Sequence, residues 1–375
     1  MPQGEGLVLA INPGSTSTKF GIYTRDGVEL ARTIRHCEDE LAQFRGRAIL
    51  DQKDYRLQLI KKELSEAGYA MAHFEAVVGR GGLLPPLASG TYLVDDAMLE
   101  QLRLARRGEH ASNLGAALAC SIAKDAGVSA YVVDPVSVDE WQECARISGL
   151  ALVERTCLCH ALNTKSVAKR YASDQKRSYE SLRLVVIHMG SGVSVSVHQD
   201  GRMIDNNTGE EGPFGADRCG GLPVQALTRL CFSGRYTEKE LLRLLQSSSG
   251  LESYLGTKDL EEIERRIGAG DSKASLVLDA LAYQIGKEAG AMAAVLHGEV
   301  DCVVLTGGMA HSTSFVAKLK PFVEWIAPVA IYPGEDELRA LADGAFRVLQ
   351  GQEQARTIGE CAAREAKNRP WDNGE

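Results

Sequence analysis

Apolar and β-branched positions cluster in short runs along the chain, at residues 7–11, 20–23, 76–78, 130–133, 184–187, 193–197, 302–305 and 329–332. Such runs predict strands. Between them the period lengthens. Leu57, Ile60, Leu64 and Ala67 are spaced three or four apart, as one buried helix face requires, and Leu114, Leu118 and Ile122 repeat at four. Leu276, Leu281, Ile285 and Val295 mark a long helix from about Ser272 to Leu296, rich in alanine and glycine and suited to close packing. A last helix is expected near 338–349, crossing back to the first domain. Strands interleaved with helices predict α/β architecture with at least partly parallel sheets.

Two segments share one device. The first runs Ala10-Ile-Asn-Pro-Gly-Ser-Thr-Ser-Thr-Lys-Phe-Gly-Ile-Tyr-Thr-Arg-Asp-Gly27, the second Val186-Ile-His-Met-Gly-Ser-Gly-Val-Ser-Val-Ser-Val-His-Gln-Asp-Gly201. Each reads as an apolar strand, a Gly-Ser turn, a β-branched strand and an Asp-Gly hairpin signal. A strand that stops at glycine leaves backbone N–H groups free and lets an anion approach without a Cβ in the way. The repetition implies a duplicated domain with phosphates bound between the copies. A third glycine element, Val303-Val-Leu-Thr-Gly-Gly-Met309, reads as a buried strand whose end lets a flat ligand lie on the backbone.

At 375 residues the chain exceeds the size at which one core usually splits, so two domains are expected, with the boundary near 156–161. Hydrophobic content of 44% and charged content of 25% are those of a globular protein. A net charge of −8 argues against nucleic-acid or anionic-membrane partners, so cations that hold an anionic ligand must be local. The nine cysteines are scattered and form no Cys-x-x-Cys, which points away from a disulfide framework or zinc site and toward a reducing cytoplasm. The N-terminus has no basic n-region, so no signal peptide is expected, and no apolar run is long enough for a membrane span. The last ten residues read as a frayed tail.

Phosphate binding by a P-loop is excluded, since Gly-x4-Gly-Lys-Ser/Thr is absent, and neither hairpin forms Gly-x-Gly-x-x-Gly before a helix. The ordered motifs are Asn12-Pro-Gly-Ser-Thr-Ser-Thr-Lys19, Val77-Val-Gly-Arg-Gly-Gly82, Gly108-Glu-His-Ala-Ser-Asn-Leu-Gly115, Val132-Val-Asp-Pro135, His160-Ala-Leu-Asn163, His188-Met-Gly-Ser-Gly192, Arg218-Cys-Gly-Gly-Leu-Pro223, Thr306-Gly-Gly308 and Tyr332-Pro-Gly-Glu-Asp-Glu337. From residue 7 to about 350 the chain resembles the acetate and sugar kinase, heat-shock ATPase and actin superfamily. Within it the chain resembles the carboxylate kinases of the acetokinase family, and butyrate kinases more than acetate kinases. The resemblance implies two duplicated actin-like (ribonuclease H-like) domains flanking a nucleotide cleft. An acceptor-side domain would comprise residues 1–157 plus 338–375, and a nucleotide-binding domain residues 158–337. The implied reaction is reversible phosphoryl transfer from ATP to a short carboxylate, giving ADP and an acyl phosphate, with Mg2+ as cofactor. It also implies a homodimer paired through the second domain.

Carried over residue by residue, Arg80 and Arg218 are expected on the transferred phosphoryl group, where a guanidinium fork suits equatorial oxygens. The glycines around Arg80 are expected to clear space for its head group. His160 is implied as a hydrogen-bond donor to that group rather than a base, because a carboxylate nucleophile has no proton to lose. Asp134 would orient an arginine or a metal-bound water, and His110 would orient the acyl group or cap the following helix. Ser15, Ser17, Lys19, His188, Gly190, Ser191, Gly192, Gly307 and Gly308 are implied at the nucleotide, with Asp259 either there or capping the helix from Leu260. For the metal the resemblance points to Asn12 and one of residues 335–337; an ungapped register selects Asp336, with Glu335 and Glu337 as alternatives.

The chain departs from the family in three places. Ser191 stands where butyrate kinases have glycine, Cys219 follows Arg218 where serine is usual, and the segment 206–212 is about two residues short. The alternatives are another short or branched-chain carboxylate kinase and, from a different class, a non-catalytic nucleotide sensor on the same fold. Acyl-chain preference is not legible, since one methylene changes discrimination by only ~1–3 kcal/mol.

Overall fold

The computed structural model describes residues 6–359. The last ten residues, read as a frayed tail, lie outside the described residues, as do the first five, on which the absence of a signal peptide was read.

Among the described residues eleven strands form two sheets. In the first unit β1 (Leu7–Pro13), β2 (Ser17–Tyr23), β3 (Val28–Arg35), β4 (Phe74–Arg80), β5 (Thr91–Leu93) and β6 (Ser129–Val133) lie in the order β3-β2-β1-β4-β6-β5. In the second, β7 (Leu184–Met189), β8 (Val193–Gln199), β9 (Arg202–Asn206), β10 (Cys302–Gly307) and β11 (Val329–Pro333) lie in the order β11-β10-β7-β8-β9. Both sheets begin with an antiparallel meander, β1-β2-β3 and β7-β8-β9. To the first strand of each, two parallel strands are added, β4 then β6, and β10 then β11. The two sheets are the same design used twice, with β5 as an extra edge in the first. The duplication inferred from the two hairpins is a property of the whole strand order.

All eight strands expected from the apolar runs form. The three that the pattern missed, β3, β5 and β9, all lie at sheet edges. β3 is mostly exposed, with Val28 at 57%, and an edge strand facing water carries no apolar run to read.

In the first unit Leu7, Leu9 and Ile11 of β1 pack with Ile60 and Leu64 of the helix Lys53–Glu66 and with Leu114, Leu118 and Ile122 of the helix Asn113–Ala126. Val8 and Ala10, pointing the other way, are also fully buried. The helix Glu337–Leu349 packs against β1, β4 and β6, and Gly344 lets it approach Val133, where a Cβ would come within 2.4 Å of the valine methyl. In the second unit Val185 and Ile187 of β7 meet Leu278, Leu281 and Ile285 of the long helix Ser272–Val295, while Leu184 and Val186 meet Val167 and Ala168 of the helix Ala161–Asp174. Leu276 is 69% exposed, against expectation: the buried stripe runs through Ala274, Val277, Leu278 and Leu281, so Leu276 faces away.

Contacts divide the chain into residues up to Asp139 with those from Asp336 onward, and Glu140–Glu335. The sequence reading placed the first boundary at 157, eighteen residues later. Residues 140–157 go with the second unit through polar ties that no hydrophobic period reveals. Lys165 Nζ donates to Glu140 Oε2 at 2.5 Å, Trp141 Nε1 to Asn206 Oδ1 at 2.8 Å, and Arg155 Nη2 to the Asn206 carbonyl at 3.0 Å. Among the described residues no helix is long and apolar enough to cross a membrane.

Candidate functional site

Each unit gathers sequence-predicted residues at the turn that follows its first strand. In the first unit the turn joins β1 to β2 and contains Ser15, with Ser17 and Lys19 opening β2. It is closed by a hydrogen bond from Gly14 N to the Ser17 carbonyl at 2.8 Å. Asn12, one residue before the turn's proline, pairs across the ladder with Lys19.

Next to β1, the parallel strand β4 ends in Arg80. Its guanidinium ion-pairs with Glu337, and Asn12 Nδ2 donates to the other oxygen of the same carboxylate. The Arg80 and Glu337 side chains are 15% and 12% exposed, so the pair is largely shielded from water. Of the acidic run 335–337, the structure therefore brings Glu337 to Asn12 and Arg80, not Asp336. Asp336 sits just ahead of the helix Glu337–Leu349; its charge, after burial, helps push the Tyr23 phenol up to about 12.

The glycines around Arg80 serve the backbone rather than the head group. A Cβ on Gly79 would lie 2.1 Å from the Gly115 carbonyl, one on Gly81 2.3 Å from Pro135, and one on Gly82 2.2 Å from Asn113 Oδ1. Their absence lets the helix Asn113–Ala126 pack directly on the strand end and fixes where Arg80 begins.

Asp134, at the end of β6, is buried and adopts φ +37, a left-handed conformation uncommon outside glycine. Its carboxylate accepts from Ser89 Oγ at 2.6 Å and Gly90 N at 2.8 Å, so it ties the 89–90 loop to the strand end. His110 is exposed, and its Nδ1 meets Ser112 Oγ at 2.8 Å and accepts from Ser112 N at 3.2 Å, just ahead of the helix Asn113–Ala126, whose first-turn N–H groups receive no side-chain cap.

In the second unit the equivalent turn, residues 190–192, joins β7 to β8. It is closed by Gly190 N donating to the Gly192 carbonyl at 3.0 Å and braced by Ala216 N and Asp217 N, which donate to the carbonyls of Gly190 and Ser191 at 3.3 Å. Arg218 follows this brace. Its side chain lies so close to Gly192 that a Cβ there would sit 3.0 Å from Arg218 Cδ. Among the described residues its guanidinium makes no hydrogen bond or ion pair, leaving a half-buried cation against a glycine turn. Burial raises the neighbouring Cys219 thiol, so a charged thiolate does not compete there.

His188, at the end of β7, is buried, and its ring stacks on His160 at 3.9 Å between centroids with 14° between planes. His188 Nδ1 meets Asn163 Oδ1 at 3.0 Å. Its Nε2 is 3.0 Å from Glu335 Oε1 but off the line of a hydrogen bond. His160 Nδ1 meets Ser194 Oγ at 2.9 Å, and the helix Ala161–Asp174 starts at the next residue. The positive end of that helix thus adjoins the imidazole. Ser194 faces His188 across the β7–β8 ladder. No motif in the sequence marked it, because serine in a β-branched strand carries no signal of its own.

Gly307 ends β10 with φ +91 and exchanges backbone hydrogen bonds with Gly334. A Cβ there would lie 2.4 Å from the Met189 carbonyl, while Gly308 has open space. Asp259 is exposed and caps the helix Leu260–Gly268, accepting from Glu261 N at 3.0 Å and Glu262 N at 3.4 Å. Of the two roles the sequence allowed it, the geometry displays the cap.

Residues 153–331, just under half of the chain, match the model of the acetokinase family. The fold resembles the crystal structure of Porphyromonas gingivalis acetate kinase, with TM-score 0.77 and 19% identity over 92% of this chain and 100% of the other. It also resembles a propionate kinase from Francisella tularensis subsp. tularensis SCHU S4, with TM-score 0.72 and 15% identity over 90% and 98% of the two chains. Acetate kinase from Entamoeba histolytica gives 0.71 and 15%, over 91% and 99%. The actin-like fold of two duplicated α/β units is thereby shown.

Proposed function

We propose that this chain is a carboxylate kinase of the acetokinase family, transferring the γ-phosphoryl group of ATP to a short carboxylic acid, with butyrate as the acid. The observation that carries the reading is Arg218, a half-buried guanidinium with no partner among the described residues, lying against the glycine turn 190–192. In a chain of net charge −8 an unpaired, half-buried cation against a glycine turn is a site for an anion. Support for the coarser reading comes from the family match across residues 153–331. Butyrate rests on sequence resemblance.

A carboxylate oxygen attacks the γ-phosphorus, the bond to the bridging oxygen breaks, and ADP leaves; the acid is already ionised, so no proton moves. The chain's part is to position groups and neutralise charge. Arg80 and Arg218 are the cations for the transferred group. His160, its Nδ1 engaged by Ser194, offers Nε2 as a donor. The turns at Ser15 and 190–192, with Ser17, Lys19 and His188, serve the phosphates. Gly307 and Gly308 serve the nucleotide, and Asp134 holds the loop at the end of β6.

Magnesium prefers oxygen ligands, keeps several waters and takes few protein groups. Asn12 and Glu337, an amide and a carboxylate held together in a shielded position, fit that donor set and would hold it. When bound it would neutralise phosphate charge. Among the described residues no cluster of three or more His, Cys, Asp or Glu forms a metal cage.

The test is a coupled kinase assay with ATP and C2 to C5 straight and branched acids, on wild type and Arg218→Ala. The expected result is acid-dependent ADP release, strongest with butyrate, falling on the order of 10²-fold in Arg218→Ala with no change in folding. Activity strongest with another acid moves the chain to that carboxylate. ATP binding without turnover of any acid would make it a nucleotide sensor.

A further inference from the structure

Among the described residues the largest fully buried side chain is a charged one, Arg56. It lies on the helix Lys53–Glu66, in the buried stripe Arg56, Ile60, Leu64. A buried guanidinium usually keeps a carboxylate beside it, since desolvating an unpaired charge costs several kcal/mol. Among the described residues no carboxylate pairs with Arg56.

Its donors go instead to the first glycine–serine turn. Nη1 donates to the carbonyls of Gly14 at 2.8 Å and Ser17 at 3.1 Å and to Thr18 Oγ1 at 3.0 Å. Nη2 donates to the Ser15 carbonyl at 3.2 Å. Gln52 Oε1 aims the fork, accepting from Nε at 3.0 Å and Nη2 at 2.7 Å. The remaining carbonyl of the turn, Thr16, accepts from His36 N at 2.9 Å. Every carbonyl from Gly14 to Ser17 is thus occupied. The N–H groups of Ser15 and Thr16, both exposed, donate to nothing among the described residues. A turn whose acceptors are saturated and whose donors are unspent, with an uncompensated cation hydrogen-bonded to it, is built for an anion.

We infer that Arg56 is the positioning residue of the first phosphate turn, fixing its backbone with the Ser15 and Thr16 N–H groups available and supplying positive charge that a nucleotide phosphate completes. This rests on the nucleotide reading of that turn given above. Arg56 touches no ligand itself. Lysine cannot replace it, because three donors on a compact ammonium do not span the carbonyls of Gly14, Ser15 and Ser17.

The experiment is calorimetric titration of ADP into wild type, Arg56→Lys and Arg56→Gln, with far-UV circular dichroism as the folding check and the KM for the acid as the contrast. Both variants are expected to bind ADP at least 10-fold more weakly, while the KM for the acid changes less than twofold. A purely structural role would lower thermal stability and the active fraction, leaving the ADP affinity of folded molecules unchanged. A folded Arg56→Lys within twofold of wild type in ADP affinity overturns the inference. Should both Arg56 variants fail to fold, Gln52→Ala leaves the charge and frees the fork. A threefold or greater loss of ADP affinity there supports the assignment, and an unchanged affinity overturns it. Absence of ADP binding by the wild type overturns the nucleotide reading of the turn, and this inference with it; intact wild-type binding with insensitive variants overturns this inference alone.

Discussion

Replacing Arg80 by alanine strands the Glu337 carboxylate in a position only 12% exposed. Two unit charges 4 Å apart attract by about 4 kcal/mol at an effective dielectric of 20, and removing one partner of a buried pair costs about 3–5 kcal/mol. Asn12 Nδ2 still donates to the stranded carboxylate and offsets part of this, so a loss of about 3 kcal/mol is expected. At roughly 2–4 °C per kcal/mol for a domain of 150–250 residues, the transition of the first unit should fall by about 6–12 °C. Glu337→Gln should cost a similar amount, because it strands Arg80. The double variant removes both charges and should cost about 4 kcal/mol rather than the roughly 6 of independent changes, a coupling energy of about 2 kcal/mol. Differential scanning calorimetry is the assay of choice, since of the three tryptophans Trp141 and Trp325 lie in the second unit and Trp371 lies outside the described residues, so none is a defined reporter of the first unit. A coupling below about 0.5 kcal/mol, the additivity error of independent sites, would refute the pairing as an energetic unit.

Three other outcomes are expected. His160→Gln, which keeps an N–H donor, should retain more kcat than His160→Ala with nucleotide affinity nearly unchanged in both; equal loss in the two would remove the donor role. Glu337→Gln should raise the Mg2+ concentration for half-maximal activity by on the order of 10-fold, whereas Asp336→Asn should not; the reverse order would restore Asp336 as the metal-side carboxylate. Burial, then the Arg56 charge, lowers the His36 imidazole from 6.5 to about 4. The folded value lies below the unfolded one, so its stabilising contribution is full above pH 6.5 and is lost as pH falls from there toward 4. Urea midpoints across that window should fall more steeply for wild type than for His36→Gln, and parallel curves would show that His36 does not carry the effect.

Much of the fold was legible because it is carried by strands buried on both faces, which leave continuous apolar runs such as Leu184 to Ile187. The edges were not: β3 is mostly exposed, and β9, though largely buried, is five residues long and carries Arg202, Asp205 and Asn206, so neither shows an apolar run. The glycines announced close approach correctly, but what approaches Gly79, Gly81 and Gly82 is backbone, proline and asparagine rather than ligand. Asn12 and Arg80 could be found from motifs. The choice of Glu337 over Asp336 could not, because it turns on where the last helix begins. Arg56 was hidden in plain view four residues before Ile60, where a charged residue on an apolar stripe reads as its boundary.

The repeated sheet makes the chain its own homologue. Counting back from the two turns, Ile11 corresponds to Ile187, Asn12 to His188, Gly14 to Gly190 and Ser15 to Ser191. The equivalent positions 12 and 188 have diverged from one another, yet each faces a glutamate at one end of the same three-residue acidic run, Glu337 for the former and Glu335 for the latter. An amide that donates to its glutamate in one copy and a stacked imidazole in the other make the two turns non-interchangeable, and swapping the two residues would measure that division of labour.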